Sequence, residues 1–105
     1  MNRGGSSAGT PNYLSPEQFE QKAIDEKVDV FAFGTLVWEL FTEQVPYEGL
    51  DVADMRKATC SGKDLPMGLS VPKSIQVLIK KCRELVPGDR PSLTEVCKEL
   101  QALLN

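Results

Sequence analysis

The sequence predicts an all-α domain of about five helices around one buried central helix. Three observations carry this. Residues 28–41 are the most apolar stretch of the chain, hydrophobic everywhere except Asp29, Gly34, Thr35 and Glu39. That run is too long for an ordinary strand and too short and too charged to span a bilayer. A helix apolar nearly all round must be buried on most sides. The second observation is a pair of capping-box signatures, Ser15-Pro16-Glu17-Gln18 and Ser92-Leu93-Thr94-Glu95, which mark helix starts. The third is that no segment shows the strict alternation of a half-buried strand.

The elements follow in order. Residues 1–11 are small, polar and Gly/Ser-rich, which is a loop composition. Ser15 caps a short helix, with Pro16 at its first position and Phe19 turned inward. Within the central run, Gly34 costs about 1 kcal/mol relative to Ala, so its presence predicts close approach of another backbone. Pro46-Tyr47-Glu48-Gly49 closes that element in a turn. Asp51 caps a helix through about Thr59, with Val52, Met55 and Ala58 on one face. Residues 61–71 read as a loop. Pro72 opens an amphipathic helix with Ile75, Leu78, Ile79, Cys82 and Leu85 at helical spacing. Pro87-Gly88 makes a turn. The last helix presents Leu93, Val96, Cys97, Leu100, Leu103 and Leu104.

Composition narrows the chemistry. With 105 residues, the chain is sized for one small domain. Its 12 Lys+Arg against 15 Asp+Glu give a net charge of -3, which argues against nucleic acid as the main partner. There is no His, so no imidazole base and no Ser-His or Cys-His pair. Cys60, Cys82 and Cys97 form no Cys-x-x-Cys pair, so no metal site is expected. They read as inert core thiols in a reducing compartment, by default the cytoplasm. No secretory or membrane-spanning segment is present, and no membrane partner is expected. The Lys80-Lys81 pair and the charges of residues 22–27 read as solvated faces.

Four blocks of residues carry more. Gly9-Thr10-Pro11-Asn12-Tyr13-Leu14-Ser15-Pro16-Glu17 resembles the end of a protein-kinase activation segment. Asp29-Val30-Phe31-Ala32-Phe33-Gly34 resembles the start of that family's large central helix. Leu36-Val37-Trp38-Glu39-Leu40 and Pro46-Tyr47 continue the pattern. Asp89-Arg90-Pro91-Ser92 looks like the last signature of the fold. The order and spacing match, and the resemblance is to eukaryotic-type protein kinases, nearest the tyrosine-kinase-like Ser/Thr group. Ser15 stands where Ala is usual, Ala32 replaces the common Ser, and Arg83 stands where related kinases often have Trp.

The resemblance implies a partial kinase C-lobe over residues 1–105, with the activation-segment end at 1–14 and the helical lobe at 15–105. It implies ATP and magnesium as cofactors of a complete domain, and a protein substrate or partner. Phosphoryl transfer needs a Gly-rich loop, a strand Lys, a catalytic Asp and Asn, and the Asp of Asp-Phe-Gly. None of these motifs lies in the 105 residues. The chain alone is therefore expected to hold no cofactor, no metal and no catalytic residue. An alternative is a non-catalytic kinase-lobe or pseudokinase interaction module.

The resemblance also assigns roles. Thr10, with Gly9, would place the substrate hydroxyl; otherwise Thr10 is a loop threonine. Ser6, Ser7 and Thr10 are candidate phosphorylation sites, although a plain Ser/Gly terminus fits Ser6 and Ser7 equally well. From local sequence alone, Glu17 complements the positive end of its helix. The resemblance instead pairs it with Arg90 in a buried ion pair. Asp29 is locally an N-cap; in the family it anchors the catalytic loop. The 105 residues are then less than half of a larger domain, and an exposed core face that drives self-association is expected.

Overall fold

The computed structural model describes residues 10–105, so the expectations for Gly9, Ser6 and Ser7 lie outside the described residues. Five α-helices form: α1 (Pro16–Phe19), α2 (Lys27–Thr42), α3 (Val52–Cys60), α4 (Lys73–Cys82) and α5 (Leu93–Leu104). Two 3-10 turns, Pro11–Tyr13 and Pro87–Asp89, complete the regular structure, and there is no strand among the described residues. The all-α class read from the sequence is the class observed.

The starts of the helices follow local chemistry. The Gln18 side chain accepts hydrogen bonds from the Ser15 amide (2.9 Å) and hydroxyl (3.0 Å), which closes the entry to α1. Asp51 accepts from the Asp54 amide at 2.8 Å and starts α3. Ser92 and Glu95 exchange reciprocal bonds of 2.9 and 3.1 Å at the start of α5. Helix α2 differs from expectation at its start. Asp29 is not its cap but lies in its first turn, while Asp25 accepts from the Lys27 amide at 2.9 Å.

Helix α2 is the hub and packs most extensively on α4, with α5 beside both. Val37 and Trp38 meet Leu65, Val71, Ile75 and Ile79 in one cluster. Val30 meets Leu78, Cys82 and Val96 in a second. Each fully buried aliphatic side chain contributes about 1.5–3 kcal/mol. The α2–α4 crossing is as close as Gly34 predicts. A Cβ built there would stand 2.5 Å from the Cys82 Cβ and 3.4 Å from the Ile79 carbonyl oxygen.

The exposed apolar face expected of the chain lies on α2, and several other expected faces are corrected. Helix α2 buries Val30, Phe31, Gly34, Thr35, Val37 and Trp38, but Leu36 and Leu40 are 43% and 70% exposed. No described element covers that side. Val52 and Leu93 sit at the first positions of their helices, on the solvent side of the caps, and are exposed. Helix α4 stops at Cys82 rather than running to Leu85, and past its end the carbonyls of Glu84 (2.8 Å) and Leu85 (3.3 Å) accept from the Arg90 side chain. Of the three thiols, Cys82 is buried, Cys60 half-buried and Cys97 exposed, so Cys97 is not a core residue.

Candidate functional site

Thr10 is half-buried and leads into the Pro11–Tyr13 turn, where its carbonyl accepts from the Tyr13 amide at 3.2 Å. Two side chains pin this turn to the helical body. Asn12 Nδ2 donates to the Pro46 carbonyl at 2.8 Å, and the Tyr13 hydroxyl donates to Glu39 of α2. Burial, then the bond and charge of Glu39, push the Tyr13 hydroxyl up to about 12. It therefore stays protonated and keeps donating at neutral pH.

Behind the turn lies Glu17, buried in the first turn of α1. Its carboxylate accepts from Arg90 Nη1 at 2.7 Å and Nη2 at 2.9 Å. Burial pushes the Glu17 carboxyl upward, but the Arg90 hydrogen bonds and charge outweigh it and hold the carboxyl below its ordinary value. Arg90 is 2% exposed, and its other donors reach the carbonyls of Glu84, Leu85 and Lys27. Lys27 replies with its ammonium on the Arg90 carbonyl. Lys27 is thus part of this clasp and not a solvated charge, a role that no local pattern around it signals. The Arg90 guanidinium also stands 5.0 Å from the Phe31 ring centroid.

Asp29 occupies a different place. It is exposed, it complements the positive end of α2, and it lines a mostly apolar groove of about 610 Å³. Tyr13, Leu14, Val28, Ala32, Phe33 and Leu36 line the same groove. The structure therefore brings Tyr13 and Asp29 to one groove and Glu17 and Arg90 to one buried pair. Thr10 leads into the turn that carries Tyr13.

Sequence reasoning missed a third cluster. Arg83 donates to Thr35 Oγ1 and, at 2.6 Å, to the Tyr47 hydroxyl, with its guanidinium 4.4 Å from the Phe31 centroid. Desolvation lowers the Arg83 pKa. The only signal was Arg83's departure from the kinase pattern. Among the described residues, no group of three His, Cys, Asp or Glu side chains could hold a metal ion. No described helix is long and apolar enough to cross a membrane.

A family model described as "Protein tyrosine and serine/threonine kinase" matches residues 2–100. The chain belongs to the protein kinase family. This kinase chain is 36% identical over 96 residues to a protein named as a probable serine/threonine-protein kinase in Dictyostelium discoideum, covering 91% of the chain and 7% of that relative. It is 37% identical over 99 residues to the dual specificity protein kinase pyk3 of the same organism, covering 93% of the chain and 7% of the relative. It is 32% identical over 96 residues to mitogen-activated protein kinase kinase kinase 12 of Rattus norvegicus, covering 90% of the chain and 11% of the relative. The kinase chain thus spans about a tenth or less of these relatives' length.

Proposed function

We propose that the chain is the helical-lobe portion of a Ser/Thr protein kinase and supplies the scaffold and substrate side of phosphoryl transfer. In this reading a complete domain binds ATP and magnesium and phosphorylates protein Ser or Thr. The 105 residues alone are inactive. The observation that carries the reading is a split within one family match. Residues 2–100 match the kinase model, yet no Gly-rich phosphate loop, His-Arg-Asp or Asp-Phe-Gly occurs in the chain. Phosphoryl transfer is mostly positioning and electrostatics, and those absent motifs supply the phosphate and metal contacts.

Within this reading Thr10 is the substrate-positioning residue, and the Glu17–Arg90 pair fixes the turn that carries it. Asp29 anchors the catalytic loop in the groove beside Tyr13. The same open face, with Leu36 and Leu40 exposed, drives self-association of the isolated chain.

A second reading, a non-catalytic interaction module, is favoured by the same absence of catalytic motifs. Labelled-phosphate transfer tests the first reading's negative half. The purified chain, given magnesium, γ-labelled ATP and a Ser/Thr-containing protein, should transfer no label. Transfer above that of a Thr10→Ala control would overturn the inactivity. A protein of the same cell captured with the chain and lost on Leu36→Lys would favour the module.

A further inference from the structure

Residues 43–50 cross the molecule between α2 and α3 and are unusual in three ways. Glu43, Tyr47 and Gly49 all take left-handed conformations, with φ of 57°, 58° and 86°. For residues with a Cβ that conformation is unfavourable and persists only when the surroundings hold it. Beyond its start, where the Glu43 amide caps α2 on the Glu39 carbonyl (2.8 Å) and the Gln44 amide reaches Thr42 Oγ1 (3.3 Å), the segment is buried at its middle alone. Pro46 is buried and Tyr47 half-buried, while residues 43–45 and 48–50 are exposed. Finally, a cavity of about 340 Å³ lies against it. Trp38, Ala58 and Leu65 line the body side, and Val45, Tyr47 and Leu50 the segment side.

The tie at the middle is Tyr47. Its hydroxyl accepts from Arg83 Nη2 at 2.6 Å and from Thr59 Oγ1 at 3.3 Å. Arg83 is itself fixed on α2, through Thr35 and the face of Phe31. Among the described residues no carboxylate lies within ion-pair distance of Arg83. Its bond to the phenol is therefore the charge-assisted contact that holds the segment, with Asn12 on the Pro46 carbonyl as a neutral second tie.

We propose that residues 43–50 are a strap that opens as a local unit, latched shut by the Arg83–Tyr47 hydrogen bond, with Trp38 beneath it. Opening releases the left-handed backbone at Tyr47 and leaves the α2–α4 core intact. Local opening of this kind is expected where few buried contacts hold an exposed segment.

The chain contains one Trp, so quenching of its fluorescence by acrylamide reports Trp38 alone. The Leu50 amide, which donates to the Tyr47 carbonyl at 3.0 Å, reports the strap by hydrogen exchange. Tyr47→Phe keeps the ring and removes the hydroxyl. It should raise both Trp38 quenching and Leu50 exchange about tenfold, the value of one hydrogen bond to a charged group. Far-UV circular dichroism should not change, and the Ile79 amide, which opens with the core, should accelerate by no more than the same factor and keep a steeper urea dependence than Leu50. Unchanged quenching and exchange would overturn the latch, and so would Leu50 and Ile79 amides that share one urea dependence. If Tyr47→Phe does not fold, the wild-type chain decides. Leu50 exchange that is flat across low urea supports local opening. Leu50 exchange with the urea dependence of Ile79 contradicts it.

Discussion

Arg90 and Glu17 stand 73 positions apart in the chain and meet through two parallel hydrogen bonds of 2.7 and 2.9 Å in the interior. The pair joins the first turn of α1 to the loop before α5, and Lys27 closes a second bond on the same arginine. Removing one partner leaves the other charge buried. Glu17→Ala and Arg90→Ala should each cost about 3–5 kcal/mol in urea unfolding. The double variant should cost clearly less than the sum, and simple additivity would show that the two side chains do not act as a unit.

The same pair sets an acid limit. Glu17 has a lower pKa folded than unfolded, so its contribution is complete above the ordinary carboxylate range. It is lost as pH falls through the lowered value. Unfolding free energy should therefore fall as pH drops below the carboxylate range. The cap carboxylate Glu95 shifts in the same direction, so the comparison must be with Glu17→Gln. That variant should be less stable at neutral pH and should lose less on acidification. Parallel curves would contradict the assignment.

Gly34 is a packing requirement. Ala gains about 1 kcal/mol of helix propensity, but its Cβ would meet the Cys82 Cβ at 2.5 Å. Overpacking costs about 1–3 kcal/mol. Gly34→Ala should lower the melting temperature, and a higher one would mean that α2 and α4 separate freely.

The thiols should separate by reactivity. Burial pushes Cys82 up to about 12, whereas Cys97 is exposed. At mildly alkaline pH a thiol reagent should modify Cys97 in the native chain and reach Cys82 only after denaturant is added, with peptide mass mapping as the readout. Native labelling of Cys82 would contradict the burial.

These results show where sequence was legible. The caps at Ser15, Asp51 and Ser92 are local chemistry, and all three mark real helix starts. Gly34 carried a tertiary signal because a glycine in a helix needs a reason. The open side of α2 was harder to read. An apolar run reports what a helix can bury, not which side has a neighbour, so periodicity did not single out Leu36 and Leu40 as the exposed part of α2. Leu85 failed for a similar reason. Its spacing continues α4, but the helix ends at Cys82 and the next carbonyls, of Glu84 and Leu85, serve Arg90 instead. The meeting of Glu17 with Arg90 was suggested by resemblance alone, since nothing in periodicity joins residues so far apart. Lys27 and the Arg83–Tyr47 contact depend on three-dimensional neighbours and had no sequence pattern.

The open face of α2 makes an association prediction. Sedimentation of the wild-type chain should show mass rising with concentration, and Leu36→Lys with Leu40→Lys should hold it monomeric. A wild-type chain that stays monomeric throughout would contradict a self-associating face.

The central claim is that these residues carry the scaffold of a kinase lobe without its nucleotide site, and a thermal melt with magnesium and ATP tests it most directly. A ligand at about 100 times its dissociation constant stabilises the folded state by about 2.7 kcal/mol. For a domain of this size that is a rise of about 10 °C or more. The account predicts no saturable shift at millimolar Mg-ATP beyond that given by magnesium and inorganic phosphate. A saturable, ATP-specific rise in melting temperature would contradict it.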